Sequence, residues 1–189
     1  MSRRLAAFLL TGLLAACVTP APDRPNPNPI ASARGDFSLA GRISVRQGDK
    51  PFAGNVRWEH LGTTDRLLFS TPLGQGVAEI AAVPGTVVLR MPDQPERVAQ
   101  DADSLIEDVL GARLPLAGLA AWVTGAVAPG SDGRTSLNGA GDVVRIDQDG
   151  WTIEFARHEP VGERRLPRRI VAQREGVEVR LVVDEWALP

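Results

Sequence analysis

The sequence predicts a mainly β fold, an α+β arrangement in which two short helices cover an antiparallel sheet. Three observations lead there. From Phe37 onward apolar residues alternate with polar ones in short runs, Gly-containing turns join several of these runs, and only two segments carry apolar residues at helical spacing. The composition is that of an ordinary globular domain, with 189 residues, 43% apolar, 23% charged and a formal charge of −2. Collagen-like, disordered and disulfide-stapled classes are excluded on that ground.

Residues 1–16 stand apart from the fold. Arg3 and Arg4 form a positive start, and Leu5 to Leu14 is an apolar stretch of the length of a signal-peptide core, too short to span a bilayer. Leu14-Ala15-Ala16-Cys17 follows and resembles the bacterial lipobox, in which small residues precede a cysteine that is acylated and becomes the new N-terminus. Cys17 is the only cysteine in the chain, so it has no disulfide partner and no sister ligand for a metal. It is the expected lipidation site. Removal of the signal leaves 173 residues and takes the formal charge to −4, a balance that argues against a nucleic-acid partner. Several acyl chains on one cysteine anchor a protein stably where a single chain does not. Val18 stands where an Asp usually retains a bacterial lipoprotein in the inner membrane, so by that resemblance the destination is the outer one.

Residues 17–35 carry a proline at nearly every second or third place from Pro20 to Pro29, which blocks both helix and ladder and reads as a tether. As polyproline II, at about 3.1 Å per residue, it would hold the body on the order of 50 Å from the bilayer. The body is then residues 36–189.

In the body, Ile43 and Val45 alternate with Arg42, Ser44 and Arg46, Val56 and Trp58 with Asn55, Arg57 and Glu59, and Leu67 and Phe69 mark a third short run. Val77–Val83 and Thr86–Met91 are joined by Pro84-Gly85 and read as a hairpin. A helix capped by Asp103 or Ser104 follows, with Leu105, Ile106, Val109 and Leu110 on one face and Gly111 as its stop. A second starts at Pro115, repeats Leu116, Leu119, Ala120 and Val123, and ends at Gly125. Ala126–Gly141 reads as a long loop. Two more hairpins follow, Asp142–Ile146 with Trp151–Phe155 across Asp147–Gly150, and Ile170–Arg174 with Val177–Val183 across Glu175-Gly176.

No catalytic chemistry is readable. His60 and His158 have no partner at metal-ligand spacing, no G-x-S-x-G elbow is present, and Gly139-Ala140-Gly141 precedes a strand where a dinucleotide fingerprint needs a helix. The carboxylate pairs Asp101/Asp103 and Asp184/Glu185 read as a helix start or a solvated face. Neither a metal nor a cofactor is expected. Leu73, between Pro72 and Gly74 in a turn that joins two strands, is pushed outward, where leaving it in water costs about 1.5–3 kcal/mol. Trp58, Trp122, Trp151 and Trp186 read either as dry core or as the wall of a ligand cavity. Arg164, Arg165, Arg168 and Arg169 around Leu166-Pro167 read as a solvated loop, with contact to an acidic patch or lipid headgroups as the alternative.

Phe37 to Val45, Phe52-Ala53-Gly54, Trp58, Thr71-Pro72-Leu73-Gly74, Leu114-Pro115-Leu116, Trp122-Val123-Thr124-Gly125, Gly150-Trp151-Thr152-Ile153, Leu166 to Ile170 and Trp186 occur in an order that resembles the LolB family of outer-membrane lipoprotein receptors. The resemblance covers the body from Phe37 to Trp186 and rests on the whole series. It implies an antiparallel sheet curled into an unclosed barrel, covered by short helices that leave an apolar cavity, in a monomer. It implies a receptor without enzymatic activity, anchored to the outer membrane and facing the periplasm. Such a receptor takes triacylated lipoproteins from a LolA-like periplasmic carrier and inserts them among outer-membrane lipids. By position, Pro72, Leu73 and Gly74 become the membrane-insertion loop, and Trp58, Leu67, Phe69, Trp122, Trp151, Phe155 and Trp186 become candidates for the acyl-chain cavity. Acyl chains of roughly 16 carbons, at about 0.8 kcal/mol per methylene, would cost tens of kcal/mol gross in water, so direct handover between dry sites is required. With no nucleotide motif, direction would come from tighter binding here than in the carrier, and from a still deeper well in the bilayer. The rivals are a tethered structural lipoprotein with a solid interior and a tethered envelope hydrolase.

Overall fold

The computed structural model describes residues 35–189; the signal peptide, Cys17 and nearly all of the tether lie outside the described residues. The strands are β1 (Phe37–Gln47), β2 (Lys50–Leu61), β3 (Thr64–Ser70), β4 (Gly76–Val83), β5 (Thr86–Arg90) and β6 (Arg97–Ala99), then β7 (Gly133–Leu137), β8 (Val143–Gln148), β9 (Trp151–Val161), β10 (Arg164–Arg174) and β11 (Val177–Ala187). Between β6 and β7 lie α1 (Ala102–Leu110) and α2 (Leu116–Trp122).

All eleven strands form one sheet in the order β6-β5-β4-β3-β2-β1-β11-β10-β9-β8-β7. Sequential hairpins build each half. The halves meet where the first strand pairs antiparallel with the last, Val45 opposite Val179 and Leu39 opposite Trp186. β6 and β7, each paired on one side only, are the two edges, so the curled sheet does not close. One face of each long strand is apolar: Leu67 and Phe69 in β3, Ile80 in β4, Ile153 and Phe155 in β9, and Val179, Leu181 and Val183 in β11 are buried. That face forms the core together with Leu105, Ile106 and Leu110 of α1 and Leu116, Ala120 and Trp122 of α2.

Several elements differ from the sequence reading. The cap of α1 is Asp101, whose carboxylate accepts from the Asp103 N–H at 3.1 Å, rather than Asp103 or Ser104. The α2 helix stops at Trp122, and a turn carries the chain on to Gly125, whose N–H donates to the Trp122 carbonyl at 2.8 Å. Ala126–Gly141 is not all loop, because its middle pairs with β8 as β7. The turn between β8 and β9 shrinks to Asp149-Gly150, both at positive φ, as a tight two-residue hairpin demands. Finally, Arg164–Arg169 is not a solvated loop: it is the first half of β10, paired with β9 from Arg164 opposite Val161 to Pro167 opposite His158. Arg165 there binds the buried Asp142 at 2.7 Å, so one of the charges that suggested solvent is a structural tie.

Candidate functional site

The inward face of the sheet and the undersides of α1 and α2 enclose an apolar cavity of about 50 Å³. Its floor is Val56, Trp58, Leu67 and Phe69 from β2 and β3, with Ile153, Ile170, Ala172, Val179 and Leu181 from β9 to β11. Its roof is Ile106 and Leu110 of α1, Leu114 between the helices, Leu119 and Trp122 of α2, and Val123. An apolar void of 150 Å³ holds one benzene, so the present volume is too small for an acyl chain.

The seven residues named from sequence separate into two groups. Trp58, Leu67, Phe69 and Trp122 line the cavity. Trp151, Phe155 and Trp186 are buried around it but are not among its lining residues. Trp151 sits with its ring 5.8 Å from that of Trp122, and the Arg174 guanidinium lies 4.7 Å from the Trp151 ring centre. Phe155 faces Ile170 across the β9–β10 ladder. Trp186 packs edge-on against Phe37 at 5.7 Å and donates its indole N–H to the Pro167 carbonyl at 3.1 Å. The helix residues Ile106, Leu110 and Leu119 also line the cavity, although only their helical spacing marked them in the sequence.

Polar ties hold the lining tryptophans in place. The Trp58 indole donates to Asp65 Oδ1 at 2.7 Å, and His60 Nδ1 lies 2.8 Å from the same oxygen, with Phe37 stacked on the imidazole. The Trp122 indole donates to Gln148 Oε1 at 2.8 Å, which also accepts the Ala128 N–H at 2.8 Å. The indoles therefore turn their apolar rings to the cavity while their N–H groups are satisfied elsewhere. Among the described residues, no group of three His, Cys, Asp or Glu is arranged to hold a metal ion.

Leu73 occupies the tip of the β3–β4 turn and is 92% exposed. The turn is closed beneath it: the Thr71 N–H donates to the Gln75 carbonyl and the Gly74 N–H to the Thr71 carbonyl, each at 2.8 Å, while Asn55 Nδ2 holds the Thr71 carbonyl at 2.9 Å. Gly74 takes φ +87°, which disfavours a side chain there. A hydrogen-bonded base thus presents one leucine to solvent. No helix among the described residues is long and apolar enough to cross a membrane.

The family model described as outer membrane lipoprotein LolB matches residues 35–186. The chain belongs to the LolB family. An outer-membrane lipoprotein LolB of Thiobacillus denitrificans is 41% identical over 187 residues, covering 97% of each chain. Another, from Chromobacterium violaceum, is 37% identical over 186 residues, covering 98% of this chain and 99% of that one. Among solved structures, a LolA-superfamily protein of Nitrosomonas europaea superposes with a TM-score of 0.53 at 10% identity, covering 85% and 89% of the two chains. A DUF1329 family protein of Desulfovibrio piger gives 0.54 at 11% identity, covering 84% and 87%. Those two likenesses concern the fold alone. Membership of the LolB family makes this chain an outer-membrane lipoprotein that works in lipoprotein localisation and is not an enzyme.

Proposed function

We propose that the chain accepts triacylated lipoproteins from a LolA-like periplasmic carrier, shelters their acyl chains between the sheet and α1–α2, and releases them into the outer membrane as Leu73 enters the bilayer. The reading rests on one juxtaposition: a wholly apolar cavity under two short helices, in a body that also presents a leucine to water at 92% exposure.

The small volume gives the mechanism its first step. An incoming chain must lift the helices from the sheet, because about 50 Å³ leaves no preformed room for it. The helices meet the sheet through apolar side chains, so a hydrocarbon chain substitutes for contacts of its own kind and little free energy is lost in the exchange. Polar ties at the flanks, Arg97 to Asp108 on α1 and Trp122 to Gln148 at the end of α2, keep the cover attached while it moves. Transfer between two such cavities avoids the tens of kcal/mol that exposing acyl chains would cost. Tighter binding here than in the carrier, and tighter still in the bilayer, supplies direction. Residues 1–16 serve as the signal peptide, Cys17 carries the lipid, residues 17–35 form the tether, and the body works as a monomer.

The test is a two-stage transfer assay. Anchored in vesicles, the protein should strip a radiolabelled lipoprotein from its carrier and pass it to the bilayer. Leu73→Glu should accept cargo at the normal rate and then retain it, with delivery reduced by an order of magnitude or more. Normal delivery by that variant refutes the role of the loop, and failure of the parent protein to strip the carrier refutes the receptor.

A further inference from the structure

The outer face of the sheet, whose side chains alternate with the core-facing ones, carries a groove of about 560 Å³ that reaches Pro72, the residue before Leu73. It follows a crease in the sheet. The β1–β11 register slips between Ala40 and Gly41, stepping over Asp184, and the β9–β10 ladder omits the Arg157/Arg168 step. Arg157 holds φ +59° in mid-strand, a conformation that residues other than glycine rarely adopt. Pairing breaks of this kind bend strands and re-aim side chains.

The side chains aimed there are arginines. Arg42, Arg157, Arg168, Arg169 and Arg180 line the groove, drawn from β1, β9, β10 and β11, and Asp184 is the only carboxylate among the lining residues. Arg42 is held by Asp184 at 2.9 Å, Arg180 by Glu178 at 3.0 Å, and Arg168 by Glu159. Arg157 and Arg169 have no ion-pair partner among the described residues, and both are exposed. A protein whose formal charge is −2 thus gathers five guanidinium groups beside its one highly exposed loop leucine. In the sequence, Arg168 and Arg169 stand beside Arg164 and Arg165. The fold separates these pairs, sending Arg165 to Asp142, and adds three arginines from distant strands.

We propose that this crease is a docking site for the phosphate headgroups of anionic phospholipid, which seats the body on the bilayer with Leu73 aimed inward. Guanidinium forks pair with phosphate oxygens two bonds at a time, so two unpaired arginines suit an anionic surface better than a solvated face. Proximity selects the ligand: a group that docks next to Pro72 sits at the level of the headgroups when Leu73 enters the acyl region. The inference deepens the membrane-insertion reading and rests on it.

The test uses the full-length lipid-anchored chain in phosphatidylcholine vesicles with or without phosphatidylglycerol. With Cys17 blocked by its lipid, a Gln75→Cys substitution accepts an environment-sensitive dye at the loop. On anionic vesicles the dye should report burial, and it should do so less on neutral vesicles or at high salt. Arg157→Asn, which suits the positive φ, combined with Arg169→Gln should lower the docking constant about 30-fold, from about fivefold per cation, without changing the thermal midpoint. Arg169→Lys alone, which keeps the charge but loses the two-bond fit, should dock less tightly than the parent and more tightly than Arg169→Gln, and docking no better than Arg169→Gln overturns the charge-based site. Equal burial on neutral and anionic vesicles, or normal docking of the double variant, overturns the headgroup site. Normal docking with slowed acceptance from the carrier overturns it too, assigning the groove to an acidic protein surface. Leu73→Glu separates the two ideas: if it leaves the dye signal unchanged on every vesicle, the insertion loop fails whatever the arginines do.

Discussion

Gln148 shows how much of the lid's position depends on one side chain. It is 3% exposed, its Oε1 takes the Trp122 indole and the Ala128 N–H, and its Nε2 donates to the Ala128 carbonyl at 2.7 Å and to Ser131 Oγ at 2.8 Å. Gln148→Leu would keep the volume and strand two buried donors, at about 1–3 kcal/mol each. Urea unfolding should therefore show a loss of about 2–6 kcal/mol with an unchanged slope. Asp142 makes a pH-dependent counterpart. Its hydrogen bonds from Arg165, opposed by burial and helped by Asn138, hold its pKa below the ordinary carboxylate value. A folded-state pKa below the unfolded one adds stability that is fully present above the unfolded value, about 3.9, and is lost as pH falls through the folded value. The stability difference between the parent and Arg165→Gln should be present at neutral pH and shrink below about pH 4, which a pH series of thermal melts would reveal.

At the scale of elements, α1 and α2 behave as one cover. Gly111 ends α1 in the left-handed region at φ +73°, donating back to the Glu107 carbonyl at 2.8 Å. The Leu116 N–H that starts α2 donates to Asp103 of α1 at 3.0 Å, and burial raises the pKa of that carboxyl against the pull of the Leu116 bond. Because the cavity is the seam between cover and sheet, filling it from the floor should block uptake without harming the fold. Ala172→Val adds two carbons to a floor beneath about 50 Å³ of free space, so binding of a fluorescent fatty acid should weaken roughly tenfold while the thermal midpoint holds. Hairpins with a Gly-containing turn and both helices were legible because those signals are local. The short edges β6 and β7 were not: three residues in β6, and a polar run in β7, have no period of their own and become strands only because β5 and β8 offer them open ladder positions. The charges of β10 misled for a related reason, since a strand with one wet face and a proline resembles a loop when its partner strands are unknown.

For the molecule as a whole, the proposed reading makes lipid anchoring and cargo handling separable. The body made without residues 1–17 should be recovered in the soluble fraction and still take lipoprotein from the carrier, whereas the full lipid-bearing chain should pellet with membranes, and sedimentation with a transfer assay would measure both. From its residues alone the chain could be read as mainly β with two amphipathic helices, as a lipobox protein on a proline-rich tether, and as one whose turn pushes Leu73 outward. Each of those is written within a few consecutive residues, where backbone restriction and side-chain period act directly. Tertiary structure alone decided that β1 pairs with β11, which half of the tryptophans face the cavity, how little room that cavity offers, and that arginines from four strands share one crease. Those outcomes depend on register between segments more than a hundred residues apart, where a single-residue slip turns every side chain to the opposite face.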